Sequence, residues 1–313
     1  MKFKVLVSAP YLLPVLDQYR QILEENNCDV LVASGNERLE ESDLLPLVGD
    51  VDGVICGDDK FTPRVIEAAP RLKVLSKWGT GIDSLDQQAC ARRGILIKNV
   101  PNAFSEPVAD TVIGWMLCFA RRLPDQTATM RDGKWVKLSG HALNEKTLGV
   151  VGIGDTGKAV VRRATAFGMK VRGYDIGEVD RQFVKTNKLE LTDLKGLLKE
   201  SDYISLNCTL TADTKWMINE ASLSLMKDGA IILNAARGPL IRESDLISAL
   251  ESGKLGGAAL DVFEEEPLSA SSKLRQLPNL LLSAHNANSS PLAWNNVHEQ
   301  AISNLLEGLS KAV

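Results

Sequence analysis

A buried strand that ends in a glycine turn and leads straight into a helix constrains this chain more than any other feature. Residues 146–151 are mostly aliphatic and run into Gly152-Ile153-Gly154-Asp155-Thr156-Gly157, followed by a helical stretch over 158–167. The next strand, 170–173, ends at Tyr174-Asp175. A lone G-x-G-x-x-G says little, and a plain strand–turn–helix corner would carry the same glycines. Here the strand, the helix and the terminal acid all stand where a dinucleotide needs them. The glycines permit a tight turn and close approach of the backbone, and the helix N-terminus offers its N–H groups and dipole to a pyrophosphate. Asp175 lies 18 residues beyond the last glycine (175 − 157), where a carboxylate accepts from the hydroxyls of a ribose. It also sets the cofactor. A 2′-phosphate beside it would be repelled by roughly 4 kcal/mol per charge pair at ~4 Å and an effective dielectric near 20. Ile176 and Gly177 follow, with no arginine to receive a phosphate, so NAD is expected rather than NADP.

The same alternation of short aliphatic runs and helical stretches extends over the whole chain, as in parallel sheets covered on both faces. Strands are expected at 4–7, 29–32, 53–55, 73–75 and 96–98, then at 147–151, 170–173, 203–206, 230–233, 257–260 and 280–282. Two series imply an α/β protein of two doubly wound parallel-sheet domains, and 313 residues suffice for both cores. Between the series, Val108, Val112, Trp115, Met116 and Phe119 recur at helical spacing, as do Trp294, Val297, Ala301, Leu305 and Leu309 near the end. The last helix follows the second series and is expected to return to the first domain, making that domain discontinuous. The expected division is 1–98 with 288–313 for a flavodoxin-like substrate-binding domain, and 99–287 for a Rossmann NAD-binding domain.

Several classes are excluded by composition. Net charge is −4 and the lysines and arginines are spread thinly, so no basic face for nucleic acid is expected. No stretch approaches the roughly 20 apolar residues of a membrane span. Only Val5, Leu6 and Val7 are continuously aliphatic at the start, too few for a signal-peptide core. The five cysteines have no spacing that suggests zinc or a redox pair. A reducing, cytoplasmic setting without a metal site is the expectation.

Three loops at strand ends carry candidate chemistry: Asn234-Ala235-Ala236-Arg237-Gly238-Pro239, Asp261-Val262-Phe263-Glu264-Glu265-Glu266-Pro267, and Ser283-Ala284-His285. Open α/β sheets bind ligands at the carboxyl ends of their strands. With Lys77-Trp78-Gly79-Thr80-Gly81-Ile82-Asp83, Asn99-Val100-Pro101 and the glycine fingerprint, the set resembles the D-isomer-specific 2-hydroxyacid dehydrogenases along most of the chain. That family includes phosphoglycerate, glyoxylate/hydroxypyruvate and D-lactate dehydrogenases. The resemblance implies reversible hydride transfer between NADH and a small 2-oxo acid, with glyoxylate, hydroxypyruvate and 3-phosphohydroxypyruvate as candidates, by a homodimer joined through the cofactor domain.

The family's catalytic arginine, glutamate and histidine carry over to Arg237, Glu266 and His285. The chemistry is consistent with each. A guanidinium fork suits the carboxylate and ketone of a 2-oxo acid, imidazole exchanges protons near neutral pH, and a neighbouring carboxylate favours imidazolium. Gly152, Gly154, Asp155, Thr156, Gly157, Asp175, Ala235, Ala236 and Asp261 are the implied cofactor residues, with Asp261 on the nicotinamide carboxamide. Lys77, Gly79, Thr80, Gly81 and Arg237 are the implied substrate residues, the turn offering N–H groups to an anion. His141 and His298 are read as bystanders.

The chain also departs from the family. Asp155 places a carboxylate where relatives tolerate phosphate, and residues 286–290 replace an Ile-Gly-Gly-like run. Where phosphoglycerate dehydrogenases carry phosphate-binding arginines, this chain has Cys56 and Lys77, with Lys60 nearby. A glutamine at position 266 would have suggested a formate dehydrogenase. The alternative of a different class is a non-catalytic NAD(H)-sensing partner protein of the same fold.

Overall fold

The computed structural model describes residues 2–33 and 38–311. Within 1–313 these fall into two units, one from the described residues of 1–104 and 289–313, the other from 105–288. The chain ends named in the expected division, Met1 and residues 312–313, lie outside the described residues. The first boundary lies six residues beyond the expected 98/99, and there is a physical reason. Val100 donates its N–H to Gly79 O at 2.9 Å, and Val100 and Phe104 pack into the core of the first unit. The second boundary falls after Asn288 instead of 287.

The first unit holds β1 (Phe3–Val7), β2 (Cys28–Val32), β3 (Gly53–Cys56), β4 (Val74–Lys77) and β5 (Leu96–Lys98), all parallel, in the order β2-β1-β3-β4-β5. β3 and β4 are buried on both faces, which explains why they read as unbroken runs without a polar–apolar alternation. The C-terminal helix Pro291–Ser310 belongs to this unit and presents Val297, Ala301, Leu305 and Leu309 to it. Its approach to the sheet is close because two glycines allow it. A Cβ on Gly308 would stand 2.5 Å from Val74 Cγ2, and one on Gly53 2.7 Å from Leu305 Cδ1. Each buried Val or Leu in that face contributes about 1.5–3 kcal/mol relative to exposure.

The second unit holds β6 (Thr147–Val151), β7 (Lys170–Tyr174), β8 (Glu190–Leu191), β9 (Tyr203–Leu206), β10 (Ala230–Asn234), β11 (Leu255–Leu260) and β12 (Leu280–Leu282). They pair in parallel in the order β12-β11-β10-β9-β6-β7-β8. Counted within the unit this is 7-6-5-4-1-2-3, the dinucleotide-binding order extended by one strand. Helix Ser105–Arg121 packs Ala109, Val112, Trp115, Met116 and Ala120 into the same core as Leu148 and Val150 of β6. Among the described residues no helix is long and apolar enough to cross a membrane.

Candidate active site

In the second unit, the fingerprint turn has the shape that its glycines dictate. Gly152 has φ +89°, and a Cβ there would stand 2.7 Å from Cys208 N. A Cβ on Gly157 would come within 1.9 Å of Gly152 O, so strand and helix close on each other only without a side chain. Gly154 is different: it is exposed, and a Cβ would meet nothing within 4 Å. It is the N-cap of helix Asp155–Ala166 and supplies no side-chain cap. The first N–H groups of that helix therefore carry no side-chain cap, beside a glycine with open space at its Cβ position, a fit for the pyrophosphate of a dinucleotide. The helix starts three residues earlier than the expected 158, so Asp155 is its first residue and not its cap. Its exposed carboxylate complements the helix dipole there. Thr156 Oγ1 lies 3.4 Å from Ser105 Oγ, at the start of helix Ser105–Arg121.

Asp175, at the end of β7, already serves the backbone. Its Oδ2 accepts from Ile153 N–H at 2.6 Å and its Oδ1 from Gly177 N–H at 2.7 Å. One bond fixes the fingerprint turn and the other the turn after β7. A carboxylate offers about four acceptor positions, so room remains for ribose hydroxyls on the half-buried group. The glycine turn, the helix terminus and Asp175 together fit NAD.

The next three loops leave the carboxyl ends of β10, β11 and β12. After β10, Asn234 Oδ1 accepts from Ala236 N–H at 3.1 Å, and its Nδ2 donates to Arg237 O at 2.9 Å. The Ala235-Ala236-Arg237 turn is thus folded around one buried amide, and Arg237 Nη1 donates to Ala236 O at 2.9 Å. A Cβ on Gly238 would lie 1.9 Å from both C and O of Phe263, so the arginine loop is pressed on the loop that carries Glu266.

Glu266 is fixed twice. Its Oε1 accepts from Phe263 N–H at 2.9 Å, and its Oε2 lies 2.9 Å from His285 Nδ1. A carboxylate only accepts, so Nδ1 donates and the chemistry of proton exchange falls to Nε2. Glu264 and Glu243 clasp each other's backbone: Glu264 N–H donates to Glu243 Oε1 at 2.6 Å and Glu243 N–H to Glu264 Oε2 at 3.3 Å. Burial pushes the Glu243 carboxyl up, and the negative charges of Glu264, Glu266 and Glu265 add to this. Sequence reasoning missed Glu243; no spacing signal links it to the loop it holds.

Asp261 is buried, with 1% exposure, and its carboxylate is spent on the histidine loop. It accepts from Ser283 Oγ, from Asn286 N–H at 2.8 Å and from Ala287 N–H at 2.9 Å, while its own carbonyl takes His285 N–H at 2.8 Å. Asp261 fastens residues 283–287, and His285 takes φ +48° within them.

The remaining expected site residues lie in the first unit, Lys77 as the last residue of β4 and Gly79, Thr80 and Gly81 in the turn after it. Gly79 has φ +120° and its carbonyl accepts Val100 N–H. Thr80 Oγ1 donates to Val100 O at 2.9 Å, and Thr80 O accepts from Asn99 Nδ2 at 2.6 Å. Among the described residues no hydrogen bond takes up the N–H groups of Thr80 and Gly81, as an anion-receiving turn requires. Lys77 is only 4% exposed; its Nζ lies 3.1 Å from Asp58 Oδ1.

The other two histidines have structural partners. His141 Nε2 lies 2.9 Å from Tyr203 Oη, and His298 Nδ1 accepts from Trp78 Nε1 at 2.9 Å. Burial pushes both imidazoles down.

Residues 113–287 match the family model described as D-isomer specific 2-hydroxyacid dehydrogenase, NAD binding domain. The chain is 38% identical to a hydroxypyruvate reductase of Thermotoga maritima over 289 residues, 91% of each protein. It is 41% identical over 268 residues to a D-3-phosphoglycerate dehydrogenase of Methanocaldococcus jannaschii. That match takes 84% of this chain and 49% of the relative, so the chain spans about half the length of that relative. Among solved structures, a D-lactate dehydrogenase of Aquifex aeolicus complexed with NAD and lactic acid superposes with a TM-score of 0.87 at 28% identity, covering 98% of this chain and 96% of that one.

Proposed function

The chain belongs to the D-isomer-specific 2-hydroxyacid dehydrogenase family, NAD-dependent oxidoreductases, and from that membership we propose that it interconverts a small 2-oxo acid and its D-2-hydroxy acid. Glyoxylate, hydroxypyruvate and 3-phosphohydroxypyruvate are the candidate oxo acids. The observation that carries the reading is the His285–Glu266 contact beside the Arg237 loop, a proton donor with its orienting carboxylate. Bound NADH supplies the hydride. Arg237 binds the substrate carboxylate and polarises the ketone with its fork of donors. As charge develops on the ketone oxygen, Nε2 of protonated His285 delivers a proton to it; in the reverse direction neutral Nε2 takes the hydroxyl proton. Glu266 holds Nδ1 and favours the imidazolium. Lys77 and the Gly79-Thr80-Gly81 turn are assigned to the substrate's anionic end.

A homodimer is part of the proposal. Helix Leu123–Arg131 buries none of its residues, and Met130 and Trp135 are 54% and 86% exposed, an apolar surface that supports a partner copy. A reducing, cytoplasmic setting accords with the five free thiols. The test of function is NADH oxidation across a panel of 2-oxo acids. Turnover of at least one, lost on Arg237→Ala, is the expected result. NADH binding without turnover of any would overturn the reading in favour of an NAD(H)-sensing protein.

A further inference from the structure

We infer that Glu243 is a positioning residue for the proton-transfer pair: it reaches from the segment that carries Arg237 to the loop that carries Glu266 and sets where Glu266 meets His285. The inference rests on the oxo-acid reading above and adds to it a residue outside the catalytic trio.

The chain from Arg237 to Glu243 is an anchored segment. Leu240 and Ile241 are buried in it. Pro239 O accepts from Trp216 N–H at 2.7 Å, Leu240 O from Ile218 N–H at 3.0 Å, and Arg242 N–H donates to Ile218 O at 2.8 Å. Helix Glu243–Glu251 follows, fastened by the buried Leu246. The loop after β11 is far less embedded. Phe263 is buried, but residues 264–273 are all exposed or half-buried.

Two contacts tie that loop to the anchored segment. Gly238 lies so close to Phe263 that no Cβ would fit between them. One residue on, Glu264 N–H donates to Glu243 Oε1 at 2.6 Å. Glu264 answers with its own side chain: Oε2 accepts from Glu243 N–H at 3.3 Å, and Oε1 from Trp216 Nε1. Arg242 gives helix Glu243–Glu251 no side-chain cap, so Glu264 supplies an acceptor to its first N–H, and a negative charge there suits the helix dipole. The backbone is thereby fixed two residues before Glu266, whose carboxylate takes Phe263 N–H with one oxygen and meets His285 Nδ1 with the other.

The charge of Glu243 is not what this role needs. Burial, together with the like charges of Glu264, Glu266 and Glu265, pushes its carboxyl up. The nearby cations have other partners: Arg242 lies 3.6 Å from Asp245, and Arg242 and Lys215 both lie over the Trp216 ring. What a glutamate provides at this position is the length to carry an acceptor to Glu264 N–H.

Two variants separate reach from charge. Glu243→Asp keeps the charge and is one methylene too short; Glu243→Gln keeps the reach and an acceptor and loses the charge. With NADH and the oxo acid that the parent reduces fastest, Glu243→Asp should lower kcat about tenfold or more, as a displaced catalytic pair does. The pH at which reduction fails should move down, because Glu266 then holds the imidazolium less firmly. NADH affinity by calorimetry and the melting temperature should stay near those of the parent. Glu243→Gln should recover most of the parent's kcat. Glu243→Ser, also too short, carries the test if Glu243→Asp does not fold. A short variant with the parent's kcat and pH limit, a fall in rate with the pH limit unmoved, or a Glu243→Gln enzyme as slow as the short variant overturns the role of Glu243 and leaves the oxo-acid reading intact. Failure of the parent to reduce any oxo acid overturns both.

Discussion

His285 Nδ1 and Glu266 Oε2 lie 2.9 Å apart, and the other oxygen of the same carboxylate is held by Phe263 N–H. The glutamate therefore cannot turn away without losing a backbone bond. Reduction requires protonated imidazole and oxidation of the hydroxy acid requires neutral imidazole. Glu266→Gln removes the negative charge that favours the protonated form, so the proton is lost at lower pH. The pH at which reduction fails should move down, each unit being equivalent to about 1.36 kcal/mol. Oxidation should persist to lower pH by the same amount, because one group governs both directions. Initial rates across pH in both directions check this; a uniform loss of rate with both profiles unmoved would sink it.

Arg237→Lys keeps the charge and loses the planar fork. Because the turn that carries it is folded around the buried Asn234 amide, the fold should tolerate the change. We expect kcat/KM to drop by about 100-fold or more, the scale of removing a donor aimed at developing charge. The melting temperature should move by no more than a few degrees. Equal kcat/KM in parent and variant would remove Arg237 from the chemistry.

Asp155 stands at the first position of helix Asp155–Ala166, next to the open space over Gly154. Asp155→Arg replaces repulsion of the pyrophosphate by attraction, and NADH should bind roughly five- to tenfold tighter at low salt, with the gain shrinking as salt rises. The helix should lose about 0.3–1 kcal/mol, since an acid at its start suits the dipole and a cation does not. Calorimetry that finds unchanged or weaker binding would assign Asp155 to the helix alone.

The exposed segment around Trp135 gives the assembly test. Sedimentation should return twice 34.1 kDa at micromolar concentration, and Trp135→Glu should shift the population toward monomer. A parent that is monomeric throughout that range excludes the dimer.

The strands at 96–98, 147–151, 203–206 and 280–282 have the bounds that their aliphatic runs suggest, and the buried pair 147–151 and 203–206 needs continuous apolar sequence. β8 escaped, since its two residues, Glu190 and Leu191, are both exposed and leave no such run. The strand-end positions of the loops that carry Arg237, Glu266 and His285 were legible in the aliphatic runs before them. What fixes those loops was not. The closeness of Gly238 to Phe263, the three donors on Asp261 and the pairing of Lys77 with Asp58 join residues distant in the chain. Such contacts follow from strand order and register, which local periodicity does not encode.

Strand β12, which introduces His285, is three residues long, lies at the edge of its sheet and pairs only with β11. Its free energy of opening is thus set by a few ladder bonds and the clasp on Asp261, far below that of the seven-stranded unit as a whole. Amides 286 and 287 should exchange with deuterium through this small opening, while those of β6 wait for global unfolding. With His285 in its proposed role, activity should report on this edge rather than on the bulk of the molecule, and warming should cost activity before the molecule melts.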